Sequence, residues 1–320
     1  MSESVAWTGK QRIVNVLAVT LMVATLPLLF LGGLVTSHEV GMAVPDWPTT
    51  FEENMFTYNF LDKSFGIKLE HTHRLAGSVI GLITVALSLA IFRYERRSWV
   101  RWLGLATLVG VIAQGVLGGG RVVFNALLGQ HLAALHGCIA QAFFALTVIM
   151  ATITSKWWFD TKPLVHEESS TVRSISMVLA LAFYAQMVLG AIVRHYQGSL
   201  WIVHLLVGGL LFFASLWLVM LVVLHRPLRE RMGSAVLVLG GGLVAQITLG
   251  VVALFLTGIL DTEVHGAITS QEALTVTTHL ALGSILFGVS VYLAAASRRL
   301  FLNESPAEAP KPKSVLEPVT

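Results

Sequence analysis

Glu70-His71-Thr72-His73-Arg74 stands directly before the apolar run from Leu75 to Phe92. A run of that length is what a helix needs to cross a bilayer core of about 30 Å. Four ionisable side chains therefore crowd the mouth of a membrane helix, where a charge carried to mid-bilayer costs on the order of 2.5–3.5 kcal/mol or more. Some interaction must offset that cost. At about 100° per residue, Glu70 and His73 share one face and His71 points nearly opposite to His73. One carboxylate and one imidazole look the same way, and the rest of the chain reads as the frame of a site for that pair.

The apolar character extends over all 320 residues, which are 55% hydrophobic and 12% charged, with a mean hydropathy of +0.75. That balance excludes a soluble domain with a polar surface and predicts an all-α polytopic membrane protein in contact with lipid. The net charge of +3 does not indicate a nucleic-acid partner, because the basic residues cluster in short loops between apolar runs. The single cysteine, Cys138, excludes an intramolecular disulfide, a cysteine-based zinc site and a cysteine-held iron–sulfur cluster. The first apolar run is long enough to span and lacks a small-residue cleavage site, so it reads as a retained helix.

Eight such stretches occur, at about 14–36, 71–93, 101–121, 131–154, 174–194, 200–224, 234–258 and 273–297. Arg93, Arg96, Arg97 and Arg101 follow the second, Lys156, Lys162 and Arg173 the fourth, and Arg226, Arg229 and Arg231 the sixth. Lys10 and Arg12 precede the first; Arg298, Arg299, Lys311 and Lys313 follow the last. The alternate loops are richer in acid, with Asp46, Glu52 and Glu53 in the first and Asp261, Glu263 and Glu272 in the last. By the positive-inside rule both termini are cytoplasmic, and the expected location is the plasma membrane.

The halves resemble each other. Leu31-Gly32-Gly33 near the end of the first span matches Leu189-Gly190-Ala191 in the fifth, and Gln114 to Gly118 in the third matches Gln246 to Gly250 in the seventh. Gln186 to Gly190 has the same spacing, which at this level reads as a chance match in apolar sequence. The expected architecture is two similar four-helix bundles, 1–155 and 174–297, joined by a polar cytoplasmic linker at 156–173 and followed by a disordered proline-bearing tail at 298–320.

His73, His136, His204 and His279 each lie near the start of an even-numbered span, at similar depth on the outer side. Each has a small residue four positions on: Gly77, Ala140, Gly208 and Gly283. A small residue one turn along the same face leaves room for a flat macrocycle, as an axial haem ligand requires. The pairs expected to ligate haem iron are His73 with His136 and His204 with His279. One such histidine alone is equally a packing residue at a helix contact; four at matched depth favour ligands. Intramembrane carboxylates for an ion relay are missing. His131 lies about 140° from His136 and precedes bulky Leu135, which makes it the weaker ligand candidate, and His71 has no assigned role. Arg74, Arg121 and Arg194, at outer helix ends, are candidates to hold haem propionates by bidentate hydrogen bonds, against a reading as interfacial anchors.

The stretches Glu70-x-x-His73-Arg74 and Pro45-Asp46-Trp47-Pro48, with histidines on the four even-numbered spans, resemble the haem A synthase family over about residues 14 to 297. The resemblance implies oxidation of the C8 methyl group of haem O to a formyl group, giving haem A for terminal oxidases. It implies that His73 and His136 hold the substrate haem, that His204 and His279 hold a haem b, and that Glu70 is the catalytic carboxylate. Delivery of haem O by a haem O synthase and export of electrons to an unidentified acceptor are further implied. Many family members carry cysteines in the first outer loop; here Val44 and Thr50 stand in their place, so no loop disulfide forms. The aromatic-rich loop from His38 to Leu69 is a candidate lid over the substrate haem. The competing reading is a di-haem b-type electron-transfer cytochrome that modifies nothing.

Overall fold

A computed structural model describes residues 7–259 and 268–301. The expectations for Asp261, Glu263 and most of the tail, 302–320, fall outside the described residues. Eight long apolar helices are present: α1 (Gly9–Ser37), α2 (Phe65–Tyr94), α3 (Ser98–Val123), α4 (Asn125–Ile153), α6 (Ser169–His195), α7 (Trp201–Leu224), α8 (Arg226–Leu256) and α9 (Ser270–Leu300). They account for the eight expected spans of a multi-pass membrane protein, since helices satisfy every backbone group internally where no water is available. The short helix α5 (Lys156–Asp160) lies in the 156–173 segment, so that segment is partly helical and not a plain linker. It begins because the Ser155 hydroxyl accepts a hydrogen bond from the Trp158 amide, an N-cap.

Helix α2 starts at Phe65, six residues before the expected 71. Glu70 and His73 therefore sit in its second and third turns, already within the helix. The early start follows from Lys68 closing the first turn onto the Ser64 carbonyl, and from Gly66 packing against Val40 and Ala43 of the preceding loop. Hydropathy alone does not register that turn, because Lys68 and Glu70 interrupt the apolar run.

Helices α1, α2, α3 and α4 pack in sequence and α4 returns to α1; α6, α7, α8 and α9 do the same, α9 returning to α6. Each ring has its own apolar core. Leu21, Ile80, Leu87, Ile91 and Met150 are buried in the first, and Leu179, Leu218, Leu239 and Leu286 in the second. This is consistent with two similar four-helix bundles. They meet through α1, α4, α6 and α9. Across that seam the amide of Gln141 donates to the Ser284 hydroxyl at 2.9 Å. Both residues stand five positions after a histidine, His136 and His279, so the contact joins equivalent positions of the repeats.

Several hydroxyl groups inside the spans are satisfied by carbonyls one turn back, as Thr25 is by Leu21 and Thr84 by Ile80. At the expected cytoplasmic side, Glu95 pairs with Arg97 at 2.7 Å, and Arg97 also donates to the Ile153 carbonyl, tying the end of α2 to the end of α4. Burial alone would raise the Glu95 carboxyl; its bonds to Arg97 and to the Arg96 and Arg97 amides outweigh burial and hold it below the usual carboxylate range.

Candidate functional site

Each of the four histidines is seated on a glycine of the preceding long helix. A Cβ placed on Gly32 of α1 would lie 2.9 Å from Cε1 of His73, and one on Gly118 of α3 would lie 3.4 Å from Cε1 of His136. In the second half, Gly190 of α6 would meet His204 Cε1 at 3.2 Å and Gly250 of α8 would meet His279 Cε1 at 2.9 Å. In every case the same ring edge, Cε1 and then Nδ1, faces the glycine. The repeats seen in the sequence as Gly32 with Gly190, and Gly118 with Gly250, are these seats.

Glutamine is the second recurring element; the sequence reading matched Gln114 with Gln246, set Gln186 aside and assigned none of them a role. Gln114 and Gln186 donate to the backbone carbonyls of His136 and His204 at 3.3 and 2.8 Å. The side-chain amide of Gln246 lies 3.3 Å from Nε2 of His279, whose Nδ1 lies 3.1 Å from the Gln246 carbonyl. The Gln186-to-Gly190 spacing is therefore not a chance match: glutamine one turn before the seating glycine braces the histidine of the next helix. The other three imidazoles meet the backbone of Leu28, Gln114 and Gln186 in the same way, but with geometry that leaves Nδ1 of His73, His136 and His204 buried without a full hydrogen bond.

The small residues at i+4 do not all act as expected. Only Gly77 opens on free space; at Gly208 and Gly283 the gap is filled by the side chains of Gln186 and Gln246. The close approach that demands glycine is on the facing helix instead.

The rings of His204 and His279 stand with centroids 6.3 Å apart and planes at 67°. With a metal–imidazole bond of about 2.0 Å and a centroid about 1.1 Å behind its nitrogen, an iron between two rings sets centroids about 6.2 Å apart. The separation fits a bis-histidine iron. Among the described residues no three His, Cys, Asp or Glu side chains converge on a bare metal ion; a histidine pair suits an iron whose other four ligands come from a macrocycle.

Glu70 is buried, and both its oxygens are engaged: one accepts from Arg74 at 2.6 Å, the other from the Val44 amide at 2.9 Å. Arg74 also donates to the carbonyls of Asp46, Val44 and Thr49. Its guanidinium is thus taken up by the outer loop, which competes with the expected propionate role. His71 acquires a role: fully buried, it takes a hydrogen bond with the Thr50 hydroxyl at 3.2 Å and packs on Tyr58 and Phe60. Val44 and Thr50 are both tied to α2, through Glu70 and His71 respectively. Trp47 lies against Gly119 of α3 so closely that no Cβ fits there, and Gly41 likewise receives the Arg121 guanidinium. Asp46 caps the turn through the Thr49 hydroxyl and the amides of Phe51 and Glu52; burial opposes ionisation, but these bonds hold the carboxyl below its ordinary value.

Arg121 and Arg194 form no ion pair among the described residues. Arg121 has a buried, unpartnered Nε and lies within electrostatic reach of Glu70, His73 and His136. Arg194 donates to the Gly33 carbonyl and the Ser37 hydroxyl, and Ser37 in turn bonds Thr277 of α9, linking α6 to α1 and α9. His131 is exposed and bonds the Tyr196 hydroxyl at 2.7 Å.

These features define a class: an eight-helix membrane protein carrying two glycine-seated histidine pairs. The family described as cytochrome oxidase assembly protein matches residues 50–202. The chain is similar to proteins named heme A synthase from Halalkalibacterium halodurans (28% identical; 53% of this chain, 55% of the relative) and Shouchella clausii (25%; 58% and 60%). A third, from Exiguobacterium sibiricum, is 24% identical over 59% of this chain and 68% of its own length. The matched stretch thus spans little more than half of the first two relatives. The family match covers just under half of the chain.

Proposed function

We propose that the protein is a haem A synthase of the plasma membrane, with both termini cytoplasmic, that oxidises the C8 methyl group of haem O to a formyl group and so supplies haem A for terminal oxidase assembly. The observation that carries this reading is the fourfold seating of His73, His136, His204 and His279 on glycine, with the 6.3 Å separation of the second pair. His73 and His136 would hold the substrate, haem O. His204 and His279 would hold a haem b, which when bound supplies one-electron redox chemistry for passing electrons to an acceptor. A glycine seat fixes each imidazole and a glutamine braces three of the four, at His136, His204 and His279. Arg121, half-buried and in no ion pair among the described residues, would hold a propionate of the substrate. Arg194 has the same charge and depth at the seam between the halves.

Glu70, one turn before His73, is the proposed proton acceptor as the methyl group is oxidised. Arg74 and the Val44 amide fix its carboxyl group in direction, and the loop that they hold is the proposed lid that excludes bulk water. Haem O arrives from a haem O synthase in the same membrane. The di-haem cytochrome reading draws support from one fact: the bonds of Glu70 to Arg74 and Val44 explain its burial without any catalytic role.

Extraction and identification of the haems of the purified protein separates the two. Haem O, haem A or a hydroxylated intermediate beside haem b is expected; haem b alone at two per chain would establish the cytochrome. In His204→Ala the second haem is lost and the first retained, whereas joint loss of both would contradict two separable sites.

A further inference from the structure

The two halves share a frame but fill it differently. Along α7, His204, Gly208 and Phe212 form one i+4 row; along α2 the corresponding row is His73, Gly77 and Gly81. A Cβ at Gly208 would meet the Gln186 amide nitrogen at 3.2 Å, whereas one at Gly77 or Gly81 would meet nothing within 4 Å. The residue of α1 that corresponds to Gln186, one turn before the seating glycine, is Leu28. In α9 the space at Gly283 is filled by Gln246 and Met187, and the next member of the row is buried Phe287. In α4 the row ends on buried Phe144. Only α2 leaves its row open for two turns beyond the histidine, about 12 Å at 1.5 Å per residue.

Residues at i±4 form the ridges of a helix surface, and two successive glycines turn a ridge into a groove. At the head of this groove stands His73, with a buried Nδ1 that lacks a hydrogen-bond partner. Leu28, whose backbone lies beside the His73 imidazole, is the apolar counterpart of Gln186, so α1 carries no amide where the second half has one. An apolar chain laid along Gln186 would seal a polar group that already has its Oε1 unsatisfied; laid along Leu28 it buries nothing polar. We propose that the groove from His73 through Gly77 to Gly81, with Leu28 at its head, receives a long hydrocarbon substituent carried on the edge of the haem at His73. Leu28 and Gly81 are thereby specificity-determining: the first site takes a chain-bearing haem and the His204–His279 site a haem without the chain. The inference rests on the reading that His73 and His136 hold a haem.

The test titrates the full-length protein in detergent, its second site filled as purified, with haem b and with haem O, which carries an isoprenoid chain. Binding that disappears in His73→Ala defines the first site, and haem O is expected to bind there more tightly. The double variant Leu28→Gln, Gly81→Phe copies the filling of the second half and should weaken haem O by about 10-fold or more while haem b changes by less than about 2-fold. Gly77→Ala, whose methyl group meets no atom within 4 Å, keeps the fold and should shift the preference in the same direction by a smaller factor. Equal weakening of both haems, or undiminished haem O binding in both variants, overturns the groove while leaving the haem site standing. No His73-dependent binding of either haem by the unaltered protein removes the site reading itself, and the groove with it.

Discussion

Replacing Gly250 with alanine adds one methyl group, and its consequence can be worked from the geometry. The new Cβ would lie 2.9 Å from Cε1 and 3.4 Å from Nδ1 of His279, against an ordinary contact of 3.4–4 Å. Both backbones belong to long helices, α8 and α9, so the imidazole must give by about 0.5 Å or more. That ring faces His204 across 6.3 Å, and a displacement of this size takes its nitrogen out of line with an iron between them. Overpacking of this kind costs about 1–3 kcal/mol, equivalent to about 5- to 150-fold in haem affinity. The four seats form a graded series: 2.9 Å at Gly32 and Gly250, 3.2 Å at Gly190 and 3.4 Å at Gly118. Haem retained per chain through purification, with the low-spin spectrum of each site, should fall in that order. Gly250→Ala should lose the second-half haem and Gly118→Ala should stay within about 2-fold of the unaltered protein. If Gly250→Ala keeps a full complement and an unchanged spectrum, the glycine does not seat a ligand and the reasoning is wrong.

Glu70→Gln preserves the shape of the side chain, and Arg74 keeps three carbonyl acceptors, so fold and haem content should survive. Conversion of haem O should fall by about 100-fold or more if the carboxylate takes a proton, measured as haem A formed per haem O supplied; conversion within about 2-fold would reduce Glu70 to a clamp for the loop. Asp46 and Glu95 both have carboxyls held below their ordinary values. A depressed folded-state value means that their contribution is present above the unfolded value, 3.8 and 4.5 respectively, and is lost as pH falls through the folded value. Thermal stability in detergent should therefore drop as pH falls below about 4.5, with the drop shallower in Asp46→Asn; an equal slope in that variant would show that Asp46 carries none of it.

The span count and the four histidines were legible because both depend on local pattern: hydropathy sets the helices, and matched depth singles out the imidazoles. What was not legible lies between helices. Hydropathy placed the start of α2 at 71 because Lys68 and Glu70 are polar, yet those residues continue a helix whose first turn packs on Val40 and Ala43 of the preceding loop, a contact no window along α2 can register. His71 looked idle because its partners, Thr50, Tyr58 and Phe60, are distant in the chain or lie in a loop of irregular geometry. The i+4 argument located real gaps but not their occupants: the gap at Gly208 is filled by Gln186 of the neighbouring helix, whereas Gly77 meets nothing and the residue corresponding to Gln186 is Leu28.

The glutamine-to-glycine spacing carries the deeper lesson. A single occurrence in apolar sequence has no weight, and two related by the repeat have little; a third, at Gln186, looked like evidence of coincidence because it fell on a helix of different position in the bundle. In the structure the spacing is not a signature of helix position but of what the next helix carries. Gly190, Gly118 and Gly250 each face an imidazole, and the glutamine one turn earlier reaches the same histidine. Gly32 also faces one, and there alone the glutamine is replaced by Leu28. A motif that serves a neighbour recurs wherever that neighbour recurs, and its one departure, beside His73, falls at the site where the groove opens and where Glu70 stands.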